Sequence, residues 1–263
     1  MKKLVLALTA VAAFTGSASA ADLAARPYTK APAPAVAVYN WTGFYIFGGV
    51  GGGIWDANTF TRLTATGLPL SIGQRQGGDG WFGTVGAGYD WQFNQSWVFG
   101  IFGDGQFGSL KGTIQDPVFF LSGSEKMQDA WAAGARLGYL VAPNVLSYVN
   151  GGYSGSHWSG TTMLNTFSGF PAGIHTNSFN LNGVFVGGGV ENNLNIFGIN
   201  APGWFMKTEY RAAYYTNNKN IHELFDGTNI STTHDIAFRP WVQTISTSLV
   251  YRFNWTGPVV SHY

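Results

Sequence analysis

Between Trp41 and Phe253 the chain alternates apolar with small or polar residues at every second position, in short segments set apart by polar stretches. In one segment Trp81, Gly83, Val85, Ala87, Tyr89 and Trp91 share a side, and Thr84, Gly86, Gly88, Asp90 and Gln92 share the other. Trp97, Phe99, Ile101 and Phe107 likewise oppose Gly100, Asp104 and Gln106, and Trp131, Ala135, Leu137 and Tyr139 oppose Gln128, Gly134, Arg136 and Gly138. Trp204, Met206, Thr208 and Tyr210 oppose Lys207, Glu209 and Arg211, and Ile245, Thr247, Leu249, Tyr251 and Phe253 oppose Thr244, Ser246, Ser248 and Arg252. A period of two is the mark of strands, whose successive side chains point to opposite faces. No window holds a 3.6-residue apolar period and glycine is spread throughout, so helices are not expected.

The pattern predicts an all-β protein with eight strands: Thr42–Ile54, Gly80–Gln92, Ser96–Gly108, Gln128–Val141, Val145–His157, Asn180–Glu191, Gly203–Tyr215 and Trp241–Phe253. Their connections alternate. Trp55–Asp79, Ser109–Met127, Trp158–Phe179 and Thr216–Pro240 are long, Phe93–Gln95 and Ala142–Asn144 are tight, and Asn192–Pro202 is intermediate. Long loops at one end and short turns at the other describe an eight-stranded antiparallel up-and-down transmembrane β-barrel, with both barrel ends on the turn side.

Composition decides which face meets what. Of 263 residues 45% are apolar, 16% aromatic and only 10% charged, against about a quarter charged in a soluble domain. A net charge of +1 excludes a basic nucleic-acid binder, and the absence of cysteine excludes disulfides and thiolate metal sites. The aromatics gather near strand ends. Phe44, Tyr89, Trp91, Trp97, Tyr139, Trp204, Tyr251 and Phe253 lie toward the turns, and Trp81, Phe107, Trp131, Tyr214 and Trp241 toward the loops. Two such girdles suit the two interfaces of a bilayer. The small and charged face then turns inward. Phe185, Phe205 and Tyr215 fall on that inward face, an inconsistency that a bulge or a shifted boundary would repair.

Residues 1–20 read as a signal peptide: Lys2 and Lys3, an eleven-residue apolar run Leu4–Phe14, and the small residues Ala18-Ser19-Ala20 for cleavage after Ala20. Residues 21–40, with Pro27, Pro32 and Pro34, read as an extended periplasmic linker, 41–253 as the barrel, and 254–263 as a C-terminal extension.

Trp41-Thr42-Gly43-Phe44-Tyr45, the glycine-rich Val184–Glu191, Lys207-Thr208-Glu209-Tyr210 and the closing Leu249–Phe253, together with the leader and linker, resemble the small porin-like outer-membrane β-barrel proteins of alphaproteobacteria. The resemblance implies an eight-stranded barrel like the transmembrane domain of OmpA, placed in the outer membrane and serving envelope integrity or a porin-like role. Lipid, lipopolysaccharide and the barrel-assembly machinery are then its expected partners; no nucleic acid and no cofactor are expected. Such barrels usually end on the aromatic of the last strand, but here ten residues follow Phe253. Tyr251, Phe253 and Tyr263 are therefore the candidate assembly signal. Haem capture by a surface loop is a further role at the level of the family.

Chemistry is sparse. Gly103–Gly108 fits GxGxxG but lies in a strand with no helix to follow, so it reads as barrel glycine. Gly152–His157 brings Ser154, Ser156 and His157 together, as a lipid- or peptide-cleaving barrel would, with no carboxylate nearby in sequence to orient the histidine. No catalytic residue and no metal ligand is assigned. His222, Glu223, Asp226, His234 and Asp235 share the fourth long loop, where N and O donors could hold a cation but a solvated loop is the simpler reading. On the inward register Asp90, Asp104, Glu191 and Glu209 face Arg136, Lys207, Arg211 and Arg252. Buried unpaired charges are costly, so these eight are expected to form one neutral network with the seventh strand as its hub.

Overall fold

A computed structural model describes residues 39–215 and 219–253. The leader, most of the linker and the C-terminal extension with Tyr263 lie outside the described residues. The strands are β1 (Gly43–Leu63), β2 (Gln74–Phe93), β3 (Trp97–Asp116), β4 (Leu121–Ala142), β5 (Val145–Ser159), β6 (Thr162–Asn165), β7 (Pro171–Thr176), β8 (Phe179–Asn193), β9 (Trp204–Tyr215), β10 (Lys219–Phe225) and β11 (Ser231–Phe253).

Neighbours pair antiparallel in the order β1-β2-β3-β4-β5-β8-β9-β11, and β11 returns to β1 from Phe44↔Phe253 to Leu63↔His234. These eight strands close a barrel. At the turn end the expected bounds agree with the structure to within two residues. At the loop end they stop short, because the expected long loops are mostly strand. β11 starts at Ser231 rather than Trp241, β1 runs to Leu63 rather than Ile54, and β3 runs to Asp116 rather than Gly108.

The wall also changes partners on the way up. Where β5, β8 and β9 end, β6, β7 and β10 take their places: β4 pairs with β6, β6 with β7, β7 with β10 and β10 with β11. Eight strands, β1-β2-β3-β4-β6-β7-β10-β11, thus line the loop end as well. The sequence there is polar on its outer face, so its alternation lacked the aromatic contrast that marked the lower strands.

The bulky side chains of the lower wall's outer face are exposed, with Trp81 at 78%. Girdle aromatics stand ten residues apart on β2 (Trp81, Trp91), β3 (Trp97, Phe107), β9 (Trp204, Tyr214) and β11 (Trp241, Tyr251). Ten residues of tilted strand rise about 25 Å, the height of an outer-membrane apolar band. The turn β2–β3 is fixed by Asn94, at φ 58°, whose Oδ1 accepts from the N–H groups of Ser96 and Trp97 at 2.9 and 3.2 Å.

The inner face is not lined by small residues alone. Phe185, Phe205 and Tyr215 point inward and are buried, without any bulge, together with Tyr45, Phe47, Phe82, Phe102 and Tyr148. Glycine makes this possible. A Cβ on Gly88 would stand 2.4 Å from the Tyr45 hydroxyl oxygen, and one on Gly86 would stand 2.5 Å from Cζ of Phe47. The inward glycines are seats for rings from neighbouring strands.

Candidate functional site: the filled barrel interior

All eight inward charges are buried, and they separate into two layers rather than one network. Near the turn end, Asp90 (β2), Arg136 (β4), Glu191 (β8) and Arg252 (β11) form a closed ring. Arg136 donates to both carboxylate oxygens of Asp90 at 2.9 and 2.5 Å and to Glu191 at 3.1 Å. Arg252 donates to Glu191 at 2.7 Å and to Asp90 at 2.8 Å, and reaches the Trp41 carbonyl at 3.3 Å. Two acids and two bases make the ring neutral by itself.

One storey higher, Arg211 donates to both oxygens of Asp104 at 2.9 and 2.7 Å and to Glu209 at 2.8 Å, while Lys207 stands 3.6 Å from Glu209. This layer is neutral too. β9 supplies three of its four members and none of the ring below, so the expected single hub becomes the backbone of the upper layer only. Tyr148 links the storeys: its hydroxyl donates to Glu209 at 2.8 Å, and its ring lies 5.1 Å from the Arg136 guanidinium carbon.

Each base also faces aromatic rings. Arg252 sits over Trp41 and Tyr45 at 4.5 and 4.8 Å, Arg136 over Tyr45 at 4.5 Å, Lys207 over Phe47 at 3.4 Å and Arg211 over Phe185 at 4.6 Å. Ring faces attract cations where water is excluded. Of the inward rings that the alternation left unexplained, Phe185 and Phe205 are thus partners of Arg211 and Arg252, while Tyr215 lies beside the Ser154 hydroxyl.

Above the charges the lumen narrows to a cavity of about 10 Å³ bounded by Gln106, Ser154, Arg211, Tyr215 and Thr244, room for at most one water. An aromatic core then fills the barrel. Trp55 packs edge-on against Trp158 at 5.4 Å, and Phe238 lies 5.1 Å from Trp158 and 5.9 Å from Phe179. Leu110, Ile114, Met127, Met163 and Ile236 belong to the same core.

The residues singled out for other chemistry separate. Ser154 and Ser156 are buried inside, where Ser154 donates to the Trp131 carbonyl at 2.9 Å and lies 3.4 Å from the Tyr215 hydroxyl. His157, one position on, takes the other face and pairs with Asn180 at 2.7 Å. Asp104 of the GxGxxG stretch is the Arg211 partner. The fourth long loop is mainly the strands β10 and β11, so its His and acid residues are paired, with His222 and Asp226 half exposed and Glu223, His234 and Asp235 buried. His222 pairs with Asp235 at 2.7 Å and Asp226 with His175 at 3.0 Å. Glu223 and His234 point inward and meet Asp116 from the end of β3, a residue the sequence reading did not include. Only closure of the wall, which sets the end of β3 across the lumen from β10 and β11, brings it there. Burial pushes the Glu223 carboxyl up. Glu125 is also fully buried on β4, no side chain among the described residues answers it, and burial pushes its carboxyl up to about 8. Tyr251 and Phe253 stack edge-on at 4.8 Å on the outer face of β11.

No protein-family model matches the chain. Among curated proteins it is similar to the 31 kDa outer-membrane immunogenic proteins of Brucella melitensis and Brucella suis, each 32% identical over 158 residues. That match takes in 58% of this chain and 65% of the length of those relatives. Among solved structures, the outer-membrane protein OprG from Pseudomonas aeruginosa shares the fold, with a TM-score of 0.52 at 10% identity over 81% of this chain and 98% of OprG. A closed antiparallel wall, paired aromatic girdles and these similarities agree: the chain is an eight-stranded β-barrel protein of the outer membrane.

Proposed function

We propose that the barrel is a structural element of the envelope that closes its own lumen, without a catalytic centre and without a standing aqueous channel. The observation that carries this reading is the continuous filling of the interior, from the Asp90–Arg136–Glu191–Arg252 ring to the Trp55–Trp158–Phe238 core. An eight-stranded barrel leaves a lumen that side chains can fill. The opposed faces taken by Ser154 and His157 support the absence of a hydrolytic pair. Lipopolysaccharide and lipid at the girdles, and the assembly machinery at the Tyr251–Phe253 end, are the partners this reading entails. In planar bilayers the purified protein should show no stable openings, and a deletion strain should show altered envelope sensitivity with an unchanged lipid profile. Sustained large conductance would overturn the closed reading, and hydrolysis of lipid or peptide by the pure protein would overturn the non-catalytic one.

A further inference from the structure

At the loop end, beyond the upper girdle, three side chains from three strands meet inside the wall: Asp116 at the end of β3, Glu223 on β10 and His234 on β11. One donor atom from each lies within 4.8 Å of the others, and all three residues are buried. His234 Nε2 is 2.5 Å from Glu223 Oε2 and 3.5 Å from Asp116 Oδ2.

Their surroundings aim them inward and leave them unanswered. Asp116 Oδ1 is occupied: it accepts from the Thr61 hydroxyl at 2.8 Å and from the Val118 and Phe119 N–H groups at 2.8 and 3.3 Å. Those bonds shape the β3–β4 turn and hold Oδ2 toward the cluster, where it has no hydrogen bond. Phe119, carried by that turn, stacks on the His234 imidazole at 3.7 Å and 15° and fixes its plane. Neither Glu223 oxygen has a well-directed hydrogen bond, although the side chain is fully buried. Asp116 Oδ2 and the Glu223 carboxylate thus lie buried with His234 as their common neighbour, and under-satisfied buried carboxylate oxygens are expensive.

We propose that Asp116, Glu223 and His234 form a binding site for a transition-metal dication of the zinc class, which clasps the β3–β4 turn to the β10–β11 hairpin across the mouth of the barrel. An imidazole nitrogen with two carboxylate oxygens suits zinc and its neighbours, whereas magnesium and calcium favour all-oxygen sites. Three protein ligands leave one tetrahedral position for water. Ligand bonds of about 2.1 Å at tetrahedral angles place donor atoms roughly 3.4 Å apart. The 3.5 Å between His234 and Asp116 already meets this, the Asp116 and Glu223 donors lie within 4.8 Å of each other, and loading requires Glu223 to back away from His234 by about an ångström.

The test uses the refolded barrel in detergent, stripped with a chelator and dialysed against Zn²⁺, with folding verified by the faster migration of the unboiled protein. One Zn²⁺ per chain is expected, retained in excess Mg²⁺, and accompanied by a rise in the temperature at which the fast-migrating form is lost. Glu223→Gln and Asp116→Asn should each weaken binding by roughly tenfold or more, and should remove the zinc-dependent rise. His222→Ala, which removes the half-exposed partner of Asp235 next to the site, should leave both intact. Absence of saturable zinc uptake by the wild-type protein would overturn the proposal whatever the variants do. So would displacement by Mg²⁺, or binding that survives Glu223→Gln but not His222→Ala. If Asp116→Asn fails to fold, the nearly isosteric Glu223→Gln decides.

Discussion

At the scale of single residues, the interior shows which polar side chains are matched and which are not. Glu191 accepts from Arg136 and Arg252 at once, so Glu191→Ala leaves two buried guanidiniums short of a partner. Breaking a buried ion pair by removing one member costs about 3–5 kcal/mol. The variant should lose its compact, fast-migrating form at a markedly lower urea concentration than wild type. Glu125 has the opposite character. Its carboxyl is raised to about 8, so between the unfolded value near 4.5 and pH 8 the folded chain holds a proton that the unfolded chain has lost. Stability therefore falls as pH rises through that window and levels off above it. Glu125→Gln should flatten this part of the pH profile, and thermal loss of the folded form at pH 5 and at pH 8 measures it. The inward register of the eight charges was legible because period two assigns a face to every residue. Their division into two neutral layers was not, because strand tilt and stagger decide which inward residues share a height, and no local signal carries that stagger.

At the scale of elements, the lower strands were legible at their turn ends and illegible at their loop ends. Below the girdle the outer face must be apolar, which sharpens the alternation. Above it both the outer face and the turns are polar, and residues such as Thr59, Thr61 and Asp235 conceal paired strand behind loop-like composition. The face assignment has a direct test in β4. Leu137 is outward in the bilayer band, so Leu137→Arg should cost about 2–4 kcal/mol near the midplane. Gly138 faces inward, where even a Cβ would stand 2.7 Å from Leu146 Cδ1, so Gly138→Arg should block assembly by overfilling. Urea titration of the folded form separates a destabilised Leu137 variant from a Gly138 variant that never becomes compact. The extended wall makes a second prediction. Arg62 pairs in register with Asp235 on β11 and bridges Pro69 on its own chain. Trypsin added to intact cells should leave the bond after Arg62 uncut, since proteases need an extended, unpaired segment. Peptide mapping that recovers early cleavage there would contradict the paired upper wall.

At the scale of the whole molecule, the barriers to passage lie in series along one axis. The charge ring spans β2, β4, β8 and β11; the Asp104–Arg211–Glu209–Lys207 layer stands above it; the Trp55–Trp158–Phe179–Phe238 core closes the top of the membrane-spanning lumen. Resistances in series add, so an ion that clears one layer still meets the others. Glu209→Ala removes the acid shared by Lys207, Arg211 and Tyr148 and should destabilise the barrel, but the aromatic core above it remains. Trp55→Ala opens a void in that core while both charge layers remain. Each variant alone should thus stay electrically silent in a planar bilayer despite its lowered stability. Conductance should rise only when interior charge and aromatic core are cut back together, as in Glu209→Ala combined with Trp55→Ala and Trp158→Ala. A compact single variant that conducts as well as the combination would mean that one layer alone holds the barrel shut, and the serial arrangement would then be wrong.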